Sequence, residues 1–521
     1  MPDERQSILW VDDEIDLLRP HILYLESKGY QVTPVSNGAD ALELVNQRSF
    51  DLVLLDEMMP GLDGLAVLEA IKARRPQLPV IMITKSEEEH LMDQALGRKI
   101  SDYLIKPVNP SQILLACKKI FEARELARGQ SVQAYVRELG EGMALDLERL
   151  DWPQWIERYE QVVRWDVELD SIAEEDLRRG HRAYLDELNR HFGRFVESRY
   201  RGWIEGGPAE RPLLSPEIVP QRVAPLLRAG RKAALVVIDC LRLDQWMVIE
   251  PLLPEGARVA REVHCAILPT ATPYARNAIF SGLYPAEIAR RHPQFWQETQ
   301  QDDTGKNRYE RELLLDLLSR EGLGEKLLQY VKIFSRRDAE ELMRQVGSFA
   351  ELDLVCLVFT FVDTLTHGRS RDAIIAEFAQ DQSGLRAHLR TWFERSVVRE
   401  VISEMLRQGR AVVVTTDHGN LQVRRPALVY ADREISSGVR FKFGNAPRCD
   451  TEQALLLRDP AAFRLPQEGL LKTYLFAKED HFFVYPTRRH EYERQLRHSF
   501  QHGGISLEEM VVPLVALEPG A

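Results

Sequence analysis

LVLLDEMMPGLDG, residues 52–64, is the stretch that settles the fold of the N-terminal part of the chain. Its opening run of apolar residues reads as a strand buried on both faces, and Asp56 stands where that strand ends. Outward from it the same texture recurs: ILWV, VTPV, VIMIT and YLI are short apolar runs separated by amphipathic stretches between residues 8 and 123. That alternation predicts an α/β domain, a five-stranded parallel sheet wrapped by helices in the flavodoxin-like manner.

In an open α/β sheet the reactive groups gather beyond the carboxyl ends of the strands. Asp12 and Asp13 follow the first run, Asp56 the third, Thr84 closes VIMIT, and Lys106 with Pro107 follows YLI. Carboxylates clustered this way repel one another unless a hard cation sits among them, and Mg²⁺ prefers such oxygen ligands. Asp12 or Asp13 would hold the ion, with Asp56 as the third carboxylate. In-line phosphoryl transfer to Asp56 then needs the charge neutralisation that Mg²⁺ and Lys106 supply. The Thr84 hydroxyl offers a hydrogen bond that exists only after transfer. Lys85, a long cation next to Thr84, is expected to shield the acyl phosphate from water.

With the Asp pair upstream and Lys-Pro downstream, residues 1–122 resemble the receiver family. The resemblance implies that Asp56 is phosphorylated by a sensor histidine kinase and that the Met58 carbonyl joins Asp12, Asp13 and Asp56 around Mg²⁺. It also implies that Tyr103 repacks together with the switch residues Thr84 and Lys106.

Past residue 121 the texture becomes Glu/Arg-rich, with Trp155, Tyr159 and Val163, then Phe192, Val196, Tyr200 and Trp203, at helical spacing. This predicts a helical middle domain whose stripe serves helix packing or a dimer seam. GGPAERPLLSP, residues 206–216, marks the next boundary. The expected domains are therefore a receiver at 1–122, a helical linker or dimerisation domain at 123–212 and an α/β effector at 213–521.

In the effector three β-branched runs end in acid: AALVVID at Asp239, LDLVCLVFTFVD at Asp363 and AVVVTTD at Asp417. On a helical turn Asp363 and His367 share one face at i, i+4. His418 follows Asp417 directly, QHGG supplies His502, and LPTATP offers Thr270 and Thr272. Three Asp and three His without Cys suit two nitrogen/oxygen metal sites, for Zn²⁺ or Mn²⁺. Two divalent ions against three carboxylates leave about one positive charge to hold a phosphoryl group, a surplus compatible with a phosphodiester. A metal-held threonine oxygen would be an activated nucleophile. Thr272 is preferred over Thr270 because Pro273 follows it and Arg276, four residues on, could contact phosphoryl oxygens bidentately.

The order of these residues resembles the alkaline phosphatase superfamily, and IDCLRLDQW, LPTATPYARN, TTDHGN and QHGGISLEEMVVP resemble its PglZ branch. Carried over, Asp239, Thr272, Asp417 and His418 would hold one metal and Asp363, His367 and His502 the other. Sulfatases share the scaffold but need a Cys or Ser that matures to formylglycine, which Thr272 cannot do. As a whole the chain resembles the PorX-like response regulators. That resemblance implies a zinc phosphodiesterase acting on cyclic or linear oligonucleotides, a homodimer promoted by phosphorylation, contact with a sigma factor, and a link to type IX secretion. In SGVRFKFGN, residues 437–445, Arg440 and Lys442 could bind a substrate phosphate beside a stacking Phe441, or the segment is an ordinary exposed strand.

Composition narrows the remaining choices. The 68 Lys+Arg against 80 Asp+Glu give a net charge of -12, the wrong sign for coating duplex DNA, and no helix-turn-helix pattern is visible. Five scattered cysteines predict reduced thiols, and neither a signal peptide nor a membrane helix is read from the sequence, so a cytoplasmic protein is expected. The rival to an enzyme is a signalling adaptor with a structural metal site and a protein partner such as a sigma factor.

Overall fold

The computed structural model describes residues 5–85, 100–172, 174–206, 211–296, 307–368, 381–431, 436, 438–467 and 472–520. The chain divides into two units, Met1–Glu138 and Leu139–Ala521.

In the first unit β1 (Ser7–Val11), β2 (Gln31–Val35), β3 (Leu52–Asp56), β4 (Val80–Thr84) and β5 (Asp102–Ile105) form one parallel sheet in the order β2-β1-β3-β4-β5. Strand alternation sorts the apolar runs onto two faces. Ile8, Trp10, Leu52 and Leu54 enter one core, and Leu9, Val11, Val53 and Leu55 the other. Helices Arg19–Ser27 and Pro110–Met143 cover the first face; Gly38–Gln47 and Gly64–Arg74 cover the second. Two of these helices carry their own start signals, since the Asn37 and Asp63 side chains accept from the amides of Asp40 and Ala66. Gly64 is required by close approach: a Cβ there would stand 2.2 Å from the Asp56 carbonyl oxygen. The expected α/β receiver architecture is therefore what the chain adopts.

In the second unit two long helices, Trp152–Glu168 and Glu175–Ile204, come first. Asp151 and Gln154 form a capping box at the start of the former. The predicted stripe of Trp155, Tyr159 and Val163 with Phe192, Val196, Tyr200 and Trp203 is buried, in one apolar core with Leu243, Tyr274, Tyr474 and Ile505 of the effector. Tyr200 also accepts a hydrogen bond from the Leu268 amide at 2.7 Å. The stripe is thus spent on packing within the chain.

The effector is built on a six-stranded sheet. β6 (Ala233–Ile238), β8 (Leu328–Ile333), β9 (Leu354–Phe359) and β10 (Ala411–Thr415) run parallel, in the order β10-β6-β9-β8. The strand Val511–Glu518 adds antiparallel to β10, and β7 (Arg258–Cys265) pairs antiparallel with it in turn. All three acid-ended runs lie side by side in the parallel part, because each is apolar enough to be covered on both faces. A separate three-stranded antiparallel sheet holds Phe441–Asn445, Lys472–Ala477 and Ala454–Leu457. Among the described residues the five cysteines are free, and no helix is long and apolar enough to cross a membrane.

Candidate functional site

The first unit brings Asp12, Asp13 and Asp56 together, each offering a carboxylate oxygen within 4.8 Å of the others. Asp12 and Asp56 are buried, while Asp13 faces solvent. Lys106 Nζ reaches Asp12 at 3.0 Å and Asp56 at 2.8 Å. Burial pushes the Asp56 carboxyl above its ordinary value, with Asp12 and Asp13 adding to the rise and the Lys106 hydrogen bond opposing it. Burial also opposes the charge on Lys106, but its hydrogen bonds to Asp56 and Asp12 outweigh that and raise its pKa. The cluster therefore has the electrostatics of a site that calls for a second, divalent cation.

Thr84 was not expected to have a partner before phosphorylation, yet its hydroxyl donates to the Glu57 carboxylate. Exposed Lys85 lines the same hollow as Asp12, His21 and Lys106. Tyr103 on β5 and the Met58 side chain are both exposed.

In the effector β6 and β10 are adjacent and parallel, so Asp239 and Asp417 emerge together at their carboxyl ends. The next residue, Cys240, sits at φ 66, where a non-glycine residue is strained, and from there its amide donates to Asp417 Oδ1 at 3.3 Å. Asp239, Asp417 and His418 form a buried cluster with ligand atoms within 4.8 Å of one another. His418 Nδ1 faces the Gly419 carbonyl at 3.0 Å, which leaves Nε2 pointing to the cluster. Thr272 Oγ1 stands 3.1 Å from that Nε2. The Thr270 hydroxyl is committed elsewhere: it donates to the Gly504 carbonyl at 2.9 Å and accepts from the Gly503 amide at 3.0 Å. The two threonines thus stand in different surroundings, Thr272 beside His418 and Thr270 against the Gly503–Gly504 backbone.

The second group is drawn to the same place. The His418 and His502 rings stack with centroids 4.2 Å apart, and His502 Nε2 lies 3.9 Å from Asp363 Oδ1. Asp363 is not at a strand end as its run suggested; it lies in the first turn of the helix Phe361–Gly368 that follows β9. His367 falls in that helix, but its side chain lies outside the described residues.

These donors fit divalent cations. Asp239 Oδ1 and Asp417 Oδ2 are buried oxygens with no hydrogen-bond partner among the described residues, an arrangement that costs free energy unless a cation is held there. Burial pushes the Asp239 carboxyl up to about 8 and also raises Asp417, although Arg276 pulls both down. Burial lowers His418, so its ring is neutral, the form that binds metal. The Cys240 thiol is pushed far above its ordinary value by burial and is no competing ligand.

Arg276 is at the site, but its partners are carboxylates: Nη1 donates to Asp239 Oδ2 and Nε to Glu310 Oε1, each at 2.5 Å. Glu310 carried no sequence signal, yet it also receives the Tyr330 hydroxyl and the Lys332 ammonium. The expectation for Arg440 and Lys442 is corrected. Arg440 is fully buried, its Nε and Nη2 donate to Glu509 at 2.9 and 2.7 Å, and Nη1 donates to the His481 carbonyl. Lys442 is buried as well, with its ammonium on the Ser436 carbonyl at 3.0 Å. Neither presents a charge to a substrate, because the Arg440 cation is taken up by Glu509 and the Lys442 ammonium by the Ser436 carbonyl. Glu509 in turn accepts from the Gly504 amide, so the Arg440 pair buttresses the loop that carries His502.

Comparison with known families assigns three segments. Residues 8–118 match the response regulator receiver domain, 125–204 the PorX response regulator linker domain, and 218–517 the BREX system PglZ alkaline phosphatase-like domain. The transcriptional regulatory protein ResD of Bacillus subtilis is 36% identical over 114 residues, 22% of this chain and 47% of its own. The alginate biosynthesis transcriptional regulatory protein AlgB of Pseudomonas aeruginosa is 34% identical over 142 residues, 27% of this chain and 32% of its own. The chain thus spans about half or less of the length of these two curated relatives. Among solved structures, the receiver domain of NtrX from Brucella abortus is similar at 33% identity and a TM-score of 0.21, covering 22% of this chain and 98% of that one.

Proposed function

Because the chain belongs to the PglZ alkaline phosphatase-like family and joins that domain to a receiver and a PorX linker, the make-up of a PorX-like response regulator, we propose that it is a metal-dependent phosphodiesterase controlled by phosphorylation of Asp56. The observation that carries the reading is the Thr272 hydroxyl set beside His418 and next to two buried carboxylates, Asp239 and Asp417, that each leave an oxygen without a hydrogen-bond partner among the described residues.

Asp239, Thr272, Asp417 and His418 would hold one zinc or manganese ion, and Asp363, His367 and His502 a second. When bound, such ions supply Lewis-acid stabilisation of phosphoryl charge and acidify the threonine hydroxyl. The residues do the rest. Thr272 Oγ1, the nucleophile in this reading, stands 3.1 Å from His418 Nε2, close enough for both atoms to be held by the same ion. Thr272 opens the helix Thr272–Ser281, whose N-terminal end favours an approaching anion. Arg276, four residues into that helix, holds Asp239 in place and pairs with Glu310. Two divalent ions over three carboxylates leave about one positive charge, to which the Arg276 and Lys332 pair sharing Glu310 adds, a surplus compatible with a singly charged diester.

Oligonucleotides, cyclic or linear, are the proposed substrates, and a sensor histidine kinase acting with Mg²⁺ at Asp12, Asp13 and Asp56 is the proposed input. Dimerisation on phosphorylation, contact with a sigma factor and a role in type IX secretion belong to the same reading through the PorX resemblance. The test is a panel of monoester, diester and oligonucleotide substrates presented to wild type and Thr272→Ala at matched metal content. Turnover of diesters and oligonucleotides by wild type alone is expected; equal turnover by both proteins would refute the reading.

A further inference from the structure

The seam between the two long helices and the effector contains more than apolar packing. Arg386, in the helix Gln382–Glu394, is buried and binds carboxylates from three elements. Its Nη1 donates to Asp166 at 2.5 Å and to Asp244 at 2.8 Å, and its Nε and Nη2 hold both oxygens of Asp170 at 2.7 and 2.6 Å. Asp166 lies in the helix Trp152–Glu168 and Asp170 in the turn after it. Asp244 lies just beyond Asp239, where Arg242 grips it with two hydrogen bonds of 2.7 and 2.6 Å. The remaining arm of Arg242 reaches Asn420 Oδ1 at 3.3 Å, and Asn420 Nδ2 donates to the Cys240 carbonyl at 3.0 Å. Asn420 ends the loop that begins Asp417-His418.

A second contact, made by a neutral side chain, approaches that loop through the segment Leu507–Glu509. Asn189, in the helix Glu175–Ile204, donates to Glu508 at 2.9 Å and accepts from the Leu507 amide at 2.8 Å. The segment it holds packs directly on the loop: the Gly419 amide donates to the Glu509 carbonyl at 3.1 Å, and a Cβ on Gly419 would stand 1.9 Å from the Glu508 carbonyl oxygen.

The apolar stripe already supplies burial, and buried ion pairs are poor sources of net stability, since desolvating the charges offsets most of the attraction. What a planar guanidinium shared by three carboxylates adds is fixed relative position. We infer that the two linker helices position the Asp417–Asn420 loop of the effector, with Arg386 and Asn189 as the positioning residues that connect them to it. The inference extends the proposed phosphoesterase function to what holds its site in register, and it rests on that reading for its kinetic consequence only.

The test uses the full chain carrying Asp166→Asn with Asp170→Asn, which removes both linker carboxylate charges from Arg386, leaves its bond to the Asp166 carbonyl in place, and leaves Asp244, Arg242 and Asn420 untouched. Two readouts are taken beside thermal unfolding: kcat and KM on bis(p-nitrophenyl) phosphate with zinc, and hydrogen exchange of the peptide containing residues 417–420. The expected result is a folded protein whose kcat falls about 10- to 100-fold with KM little changed, and whose loop amides exchange at least about tenfold faster. A lower melting temperature with unchanged kcat and unchanged loop exchange would overturn the inference, leaving the linker as mere support. If wild type hydrolyses no ester, the functional reading fails while the exchange measurement still decides the positioning. If the double variant does not fold, Asn189→Leu, which removes no charge, is judged by the same two outcomes.

Discussion

In the proposed reading Thr272 is the residue on which the chemistry turns, and its setting differs from that of Thr270, whose hydroxyl is bonded to Gly503 and Gly504. Thr272→Ala is expected to lower diester turnover by at least about 1,000-fold while the protein still binds zinc, and Thr272→Ser to keep most of the activity, as read by initial rates and metal analysis. The acids around it predict a pH dependence with a definite sign. Burial holds Asp239 protonated up to about 8, and a metal needs the carboxylate, so binding must release a proton below that value and affinity must rise with pH until it is passed. His418 is already neutral and adds no proton. Calorimetry of zinc binding in buffers of different ionisation enthalpy measures the release directly; a release that does not decline as pH rises past about 8 would contradict the assignment. Arg440 gives a contrasting case. Arg440→Met leaves Glu509 buried without its charge partner and is expected to cost about 3–5 kcal/mol in chemical unfolding.

At the scale of elements, the two long helices behave as part of the effector's core. Trp155 is fully buried against Phe192 and Phe195, so Trp155→Ala is expected to destabilise the second unit by about 3–5 kcal/mol and to leave the first unit's unfolding transition in place. Separate calorimetric transitions would show this. Periodicity made the stripe legible, since helical spacing of large apolar groups means a buried face whatever it packs on. What it packs on was not legible, because Leu243, Tyr274 and Ile505 lie far away in sequence and carry no mark of their partner. The segment around Arg440 shows the same limit from the other side. Alternating basic and aromatic residues look like a binding strand, but a buried arginine announces itself only through the glutamate it meets, and Glu509 lies 69 residues downstream. Glu310, Arg386 and Asn189 were invisible for that reason, whereas Arg242, Asp244 and Glu509 stood inside recognised motifs without a role.

At the scale of the whole molecule, the parallel sheets were the most readable part, since apolar runs ending in acid have few other uses in a chain of this composition. The antiparallel edge strands of the effector sheet were not foreseen, whereas the helical turn expected to carry Asp363 and His367 is present as the helix Phe361–Gly368. The shared core of linker and effector leads to a further expectation. A fragment starting near residue 139 should be soluble and cooperative, while one starting near residue 213 should aggregate with its Leu243 and Tyr274 face uncovered. Solubility and calorimetry of the two fragments distinguish the outcomes. The central claim is that an acyl phosphate on Asp56 governs a threonine-dependent metal phosphodiesterase, and one measurement addresses it most directly. Zinc-loaded full-length protein is assayed on a phosphodiester with and without beryllofluoride and Mg²⁺, beside Asp56→Ala and Thr272→Ala. The account predicts that beryllofluoride changes the wild-type rate, that Asp56→Ala is active but unresponsive, and that Thr272→Ala is inactive throughout. Equal rates for wild type and Thr272→Ala, or an identical beryllofluoride response in Asp56→Ala, would contradict it.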